Sequence, residues 1–403
     1  MARQDIAGPR PLPLPEFVAM LALLFATVAF SIDAMLPALP QIAADLSPSD
    51  PNRAQLVLAS FIMGMGIGTL FTGPISDAAG RKVTIFGGFA LYSVGALMAS
   101  MASSLDMLML ARVVQGLGVA APRVVGIALV RDLYSGREMA RITSLAMMIF
   151  ILVPAVAPAI GALIADLAGW RGIFLAFVAF AILCCTWVGI RQDETLPRDK
   201  RRALSFPTLL SGTREVLSDR NVVIYTVVLT LGMGQMFALL ASSQQIFGET
   251  FGQAENFPKW FALQALIAGT GSFLNARLVI GLGMRRLAGL AYLAQVVLAL
   301  GMTLVFSLNL AGDTAFWAFF GWSVSIFFMA GLTFGNLQAL AMQRTGHIAG
   351  LTASLVTALA TVGSVLIAAP VGLAFDGTPV PVMAGAAICS ALAWVLLRAV
   401  RDR

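Results

Sequence analysis

Charge is scarce in this sequence. Of 403 residues, 11% are charged and 59% hydrophobic. A soluble domain carries about 25% charged residues, so a fold of this size could not solvate its surface. Disorder is excluded by the same numbers, because it needs few apolar residues and many charges. Lysine occurs only as Lys82, Lys200 and Lys259, and none precedes Ser or Thr. The phosphate-cradling G-x-x-x-x-G-K-[ST] loop is therefore missing, which argues against ATP-driven chemistry. One histidine, His347, leaves no material for a His-based metal site or a His-dependent triad. Three cysteines, Cys184, Cys185 and Cys389, lie in apolar runs and form no disulfide framework. No cofactor or metal is implied, and the chain does not read as an enzyme.

What the sequence has is long apolar runs. A membrane-crossing helix needs about 20 mostly apolar residues. Twelve such spans are predicted, at 17–39, 54–75, 83–103, 107–130, 140–166, 171–190, 221–245, 258–281, 285–307, 314–341, 348–373 and 379–398. Their connections are short except for 191–219, which is charged and holds Pro and Gly. This gives three expected parts: a six-helix bundle over 1–190, a linker over 191–219 and a second six-helix bundle over 220–403. The first span has no small-residue cleavage site after it and reads as an uncleaved anchor.

The basic residues set the expected orientation. With both termini on one side, that side takes 21 of the 26 Lys and Arg residues. The other side has Arg53, Arg171 and Lys259, and Arg112 and Arg123 lie inside the fourth span. The bias predicts cytoplasmic termini and accounts for the net charge of +6 through the lipid bilayer, without nucleic acid as a partner. The halves also echo each other: APAIGALIADLAG ends the fifth span and AAPVGLAFDG ends the eleventh. Paired Pro/Gly-interrupted segments suggest an internally repeated transporter, although small-residue helix packing also produces them.

Motifs narrow the reading. After the second span comes Gly73-Pro-Ile-Ser-Asp77-Ala-Ala-Gly80-Arg81-Lys82. The fourth carries Ala111-Arg112-Val-Val-Gln115-Gly116-Leu-Gly118-Val-Ala-Ala121, and the fifth Val153-Pro154-Ala-Val-Ala-Pro158-Ala-Ile-Gly161. The first resembles the G-x-x-x-D-x-x-G-R-[RK] signature of the major facilitator superfamily. The second is similar to the R-x-x-Q-G-x-G-A-A motif of its proton-coupled members. The third is similar to the antiporter motif of its drug exporters. With Asp33 to Pro40, Arg131-Asp132, Gly169-Trp170-Arg171 and Glu194-Thr195-Leu196, the chain resembles the bicyclomycin/chloramphenicol-resistance branch of drug:proton antiporters. The likeness is dense over 31–196 and thinner beyond.

The resemblance implies an all-α membrane fold of twelve helices in two six-helix bundles. It also implies a monomer in a bacterial-type plasma (inner) membrane, exporting small molecules in exchange for protons. Gly73, Asp77, Gly80 and Arg81 would form a latch at the cytoplasmic mouth, closing and opening with the two halves. Pro154, Pro158 and Gly161 would shape the fifth span. A proton-coupled importer, or a dedicated exporter of one metabolite, remains an alternative on the same fold.

Ionisable groups inside a bilayer are costly and mark function by default. Asp33 is the only acid placed well inside a span, so it is the expected proton carrier. A structural role beside the helix break at Pro37 is the alternative. Arg112 must bind a carbonyl or a carboxylate, and Gln115 shares its face; the expected role of Arg112 is to sense or relay protonation. Arg123 departs from the family pattern. It lies eleven residues beyond Arg112, roughly 20° around the helix and about 16 Å along it. A cationic stripe on the cavity wall would favour neutral or anionic substrates, whereas a fixed ion pair would have no such consequence. Gln115, Gln235, Phe237 and Asn336 complete the expected cavity.

Overall fold

The computed structural model describes residues 12–201 and 206–400. The described residues form helices and connecting turns, with no strand. The chain enters as α1 (Leu14–Asp33), turns through Leu36–Ala38 and continues as the short α2 (Leu39–Leu46). Pro37 and Pro40 each occupy the first turn of the segment that follows them, where a missing N–H costs nothing. They therefore end α1 at Asp33. Next come α3 (Leu56–Ala79), α4 (Arg81–Ser100), α5 (Leu105–Leu133) and α6 (Gly136–Arg191). After the linker follow α7 (Phe206–Ser218), α8 (Arg220–Gln245), α9 (Phe257–Leu282), α10 (Met284–Ser307), α11 (Ala315–Arg344), α12 (Ala349–Leu373) and α13 (Val380–Arg398).

Among the described residues, eleven helical stretches are long and apolar enough to cross a membrane. The 56-residue α6 holds two of the twelve expected spans, broken at Gly169, where φ is 69° and ψ 175°. A residue with a Cβ is strained there, so the glycine marks the corner. The turn is pinned by its neighbours. Trp170 Nε1 donates to Asp45 Oδ2 at 2.8 Å, and the Arg171 guanidinium lies 4.1 Å from the Trp170 ring centroid.

In the first bundle α3 and α4 pack on α5, and α1 and α4 pack on α6. In the second, α8 packs against α11, α12 and α13, while α10 packs against α11 and α13. The bundles meet along two seams, α3 with α12 and α6 with α9. Small residues let the backbones touch, as expected where apolar burial cannot drive helix association. A Cβ on Gly116 would strike the Phe61 carbonyl across α3–α5, and one on Gly161 would strike the Ala34 carbonyl just past α1. The antiporter-like motif thus brings α6 into backbone contact with the end of α1.

The linker holds a helix that the sequence reading did not anticipate. α7 buries Val216, packs on α8 and α12, and sets Glu215 2.8 Å from His347 Nε2.

Candidate functional site

Asp33, the last residue of α1, is 5% exposed. Its carboxylate makes no hydrogen bond or ion pair among the described residues. Its surroundings are nonetheless tightly held. The adjacent turn of α1 is tied to α4 and α5: Ser31 Oγ and Tyr92 Oη lie 2.6 Å apart, and Arg112 Nη2 donates to the Ser31 carbonyl at 3.0 Å. Arg112 is fully buried. It also donates to Gln115 Oε1 at 2.6 Å and to the Val57 carbonyl at 3.4 Å, and lies 4.2 Å from the Phe61 ring centroid. A buried guanidinium is thus held by carbonyl oxygens and a ring face, with no carboxylate.

This differs from the cationic stripe read from the sequence. Arg112 and Gln115 are both completely buried and bonded to each other, packed among α1, α3 and α5 and not open to a cavity. What is left of the stripe is Arg123. It is half-buried in α5, has no acidic partner among the described residues, and points Nη1 at Met65 Sδ, 3.8 Å away. A thioether is a weak acceptor, so this cation lacks a matched partner. Asp33, Arg112 and Arg123 are not brought into contact.

The remaining cavity candidates sit as follows. Gln235 is buried in α8, accepts from Ser390 Oγ at 2.9 Å and leaves Nε2 without a partner. Asn336 is buried in α11 and donates to Asn275 Oδ1 at 2.7 Å and the Leu332 carbonyl at 2.8 Å. Phe237 faces a small pocket between the halves, opposite Leu58 and Ile62 of α3 and Val365 and Ala368 of α12. Pro154 and Pro158 both lie inside α6.

At the end carrying most of the basic residues, Arg81 is the hub of a charged cluster. Its guanidinium donates to Asp77 Oδ1 at 2.6 Å, to Ser76 Oγ at 2.9 Å and to both oxygens of Asp132, at 2.8 and 3.3 Å. Gly80 turns the chain with φ 105°. This exposes the Arg81 and Lys82 amides, which donate to Glu194 at 2.9 and 3.1 Å. Gly73 precedes it in α3. The expected latch was Asp77 with Arg81 between moving halves. The bonds found all join residues of the first half, from α3, α4, α5 and the segment after α6. Asp132 and Glu194 complete the cluster; both stood in quoted motifs, but pairing across so many residues leaves no local signal.

The opposite end is closed by neutral groups that do cross between the halves. Gln55 Nε2 donates to Gln245 Oε1 at 2.7 Å, and Ser242 Oγ donates to Gln55 Oε1 at 2.9 Å. Gln245 Nε2 donates to Asn52 Oδ1 at 2.8 Å. Asn52 Nδ2 donates to the Phe375 and Leu373 carbonyls at 2.8 and 3.2 Å. Sequence reasoning missed Asn52 and Gln55, which sit in the short 3-10 helix Pro51–Gln55 just before α3, with no motif around them.

A family model described as Major Facilitator Superfamily matches residues 21–399. The chain is 30% identical to the uncharacterized MFS-type transporter YdgK of Bacillus subtilis, over 86% of this chain and 85% of that one. It is 29% identical to a bicyclomycin resistance protein homolog of Haemophilus influenzae, over 84% of each. Its fold superposes on the xylose transporter XylE of E. coli, in a partially occluded inward open conformation, with a TM-score of 0.73 at 12% identity. That match covers 96% of this chain and 98% of the other. The chain is thus a multi-pass membrane transporter and belongs to the major facilitator superfamily, in the branch of the bicyclomycin-resistance proteins.

Proposed function

We propose that the protein is a proton-coupled exporter of small amphipathic compounds, working as a monomer in a bacterial inner membrane. The basic end and both termini face the cytoplasm. The two bundles rock about the α3–α12 and α6–α9 seams, giving alternating access. Residues 1–190 and 220–403 move as the two bodies, with 191–219 as the tether.

The observation that carries this reading is Asp33, a buried carboxyl with no hydrogen-bond partner among the described residues, in a tightly bonded setting. Such a group exchanges a proton without breaking a bond to its neighbours. Arg112, bonded to the Ser31 carbonyl, holds against α5 the turn of α1 that bears Asp33. Arg123 sets the substrate preference: an interior cation with no acidic partner among the described residues repels cations and favours neutral or anionic compounds. The name of the Haemophilus relative supports antibiotic-like cargo.

The test is an inside-acid gradient across liposomes holding the full chain. Addition of neutral or anionic antibiotics should dissipate it, and Asp33→Asn should abolish the effect while the protein still folds and binds. Undiminished dissipation by Asp33→Asn removes Asp33 from the mechanism. Arg123→Ala should narrow the difference between anionic and cationic compounds. Wild-type preference in that variant removes Arg123 from substrate contact.

A further inference from the structure

The clasp and the pocket beneath it share one residue. The pocket between the halves is lined by Leu58 and Ile62 of α3, Phe237 and Ala241 of α8, Val365 and Ala368 of α12, and by Gln55. All of these are apolar except Gln55. The same amide makes two of the three described side-chain bonds from the first half to α8, through Gln245 and Ser242, and Asn52 accepts the third from Gln245. It is 5% exposed, so those bonds form away from bulk water. The α12 backbone is shaped to receive it: a Cβ on Gly372 would collide with Gln55 Oε1. Asn52 adds bonds to the carbonyls of Leu373, the last residue of α12, and of Phe375 just past it, so the short helix before α3 grips α8 and the end of α12 together.

We infer that Gln55 is the positioning residue of the far-end gate: its amide roofs the inter-half pocket and holds that end shut against α8 and α12. This rests on the alternating-access reading above and goes beyond it by assigning the closed state to one side chain. The chemistry suits a gate. Neutral hydrogen bonds each contribute little net free energy, because water replaces them when they open. A closure built from a few of them is specific in geometry yet cheap to reverse. Breaking the two bonds of the Gln55 side chain shifts the ratio of closed to open molecules by roughly tenfold.

The experiment uses the full chain in lipid, with Cys184, Cys185 and Cys389 replaced by alanine. Nitroxide labels go on Ser49→Cys and Glu255→Cys, exposed positions in far-end loops of the first and second halves. Pulsed electron resonance reads the distance between them. The parent should be dominated by the short distance. Gln55→Ala removes the amide, and Gly372→Ala keeps it but pushes it out of its seat. Both should transfer population to a longer distance, and the second covers the case in which the first folds poorly. Wild-type distributions in both variants overturn the assignment. The two readings fail separately. If the labels separate as expected but no compound dissipates a proton gradient, the export reading falls and the gate stands. If compounds are exported and the labels do not respond, the gate falls alone.

Discussion

The two ends of this molecule are held by different chemistry at different places. At the basic end the strong interactions are ionic and stay within one half, with Arg81, 4% exposed, gripped by Asp77, Asp132 and Ser76. At the far end the ion pairs Arg53–Asp106 and Arg171–Asp45 also stay within the first half, and the bonds described that span the two halves are neutral amides, hydroxyls and carbonyls. Charge therefore builds a rigid unit inside a bundle, whereas weak neutral bonds join the surfaces that must separate. A buried ion pair is costly to break, since one partner is left charged without compensation. An amide pair is not, since each group finds water.

The largest effect expected is at the charged hub. Arg81→Ala strands Asp132 and should cost about 3–5 kcal/mol, read as a fall in folded yield and thermal stability in detergent. A loss below about 1 kcal/mol would mean the cluster is solvated and the contrast is wrong. Next comes a difference between two acids on the same guanidinium. Asp132 is 15% exposed and Asp77 43%. Asp132→Asn should cost about 1–3 kcal/mol as a lost charge-assisted bond, while Asp77→Asn should stay within about 1 kcal/mol, as exposed pairs do. Equal costs would show that burial does not rank them.

A smaller effect tests ionic strength. The clasp carries no net charge, so raising salt should leave the far-end label distance unchanged, since screening acts on charges. A salt-driven opening would place ionic groups in that gate. The smallest effect concerns Asp219, which caps α8 through the Asn221 and Val222 amides and bonds Arg344 Nε at 2.7 Å. Burial pushes its carboxyl up, but the Arg344 guanidinium and the two amides outweigh this and hold it below its ordinary value. Its contribution is therefore present above the ordinary carboxylate range and lost as pH falls through the depressed value. Asp219→Ala should cost about 1 kcal/mol near neutrality, and the difference from wild type should vanish in acid. A gap that persists there would trace to packing.

Much of this was legible from the sequence because the signals were local. Apolar runs placed the crossing helices, and Gly169 fell in the expected gap between the fifth and sixth spans. Pro37 and Pro40 marked the break that leaves Asp33 at a helix end. Arg112 with Gln115 could be read from helical geometry, and Asp77 with Arg81 from the short glycine turn between two spans. What could not be read was long-range or unpatterned. Arg112 was expected to look into the cavity, but one helix face can point at lipid, cavity or neighbour, and spacing does not say which. Asp132 and Glu194 join Arg81 and Lys82 across distant segments. Asn52 and Gln55 are neutral residues in the one-turn helix before α3, whose meaning comes only from what faces them. α7 was hidden by the charge and glycine content of a segment whose apolar residues needed α8 and α12 to pack against.

If Asp33 exchanges protons in step with substrate, the exchange is read as proton release in weakly buffered detergent, on adding a compound that dissipates the liposome gradient. Wild type should release protons as the compound binds, and Asp33→Asn should bind it with none released. Equal release from both proteins would contradict the account and place the coupling proton elsewhere.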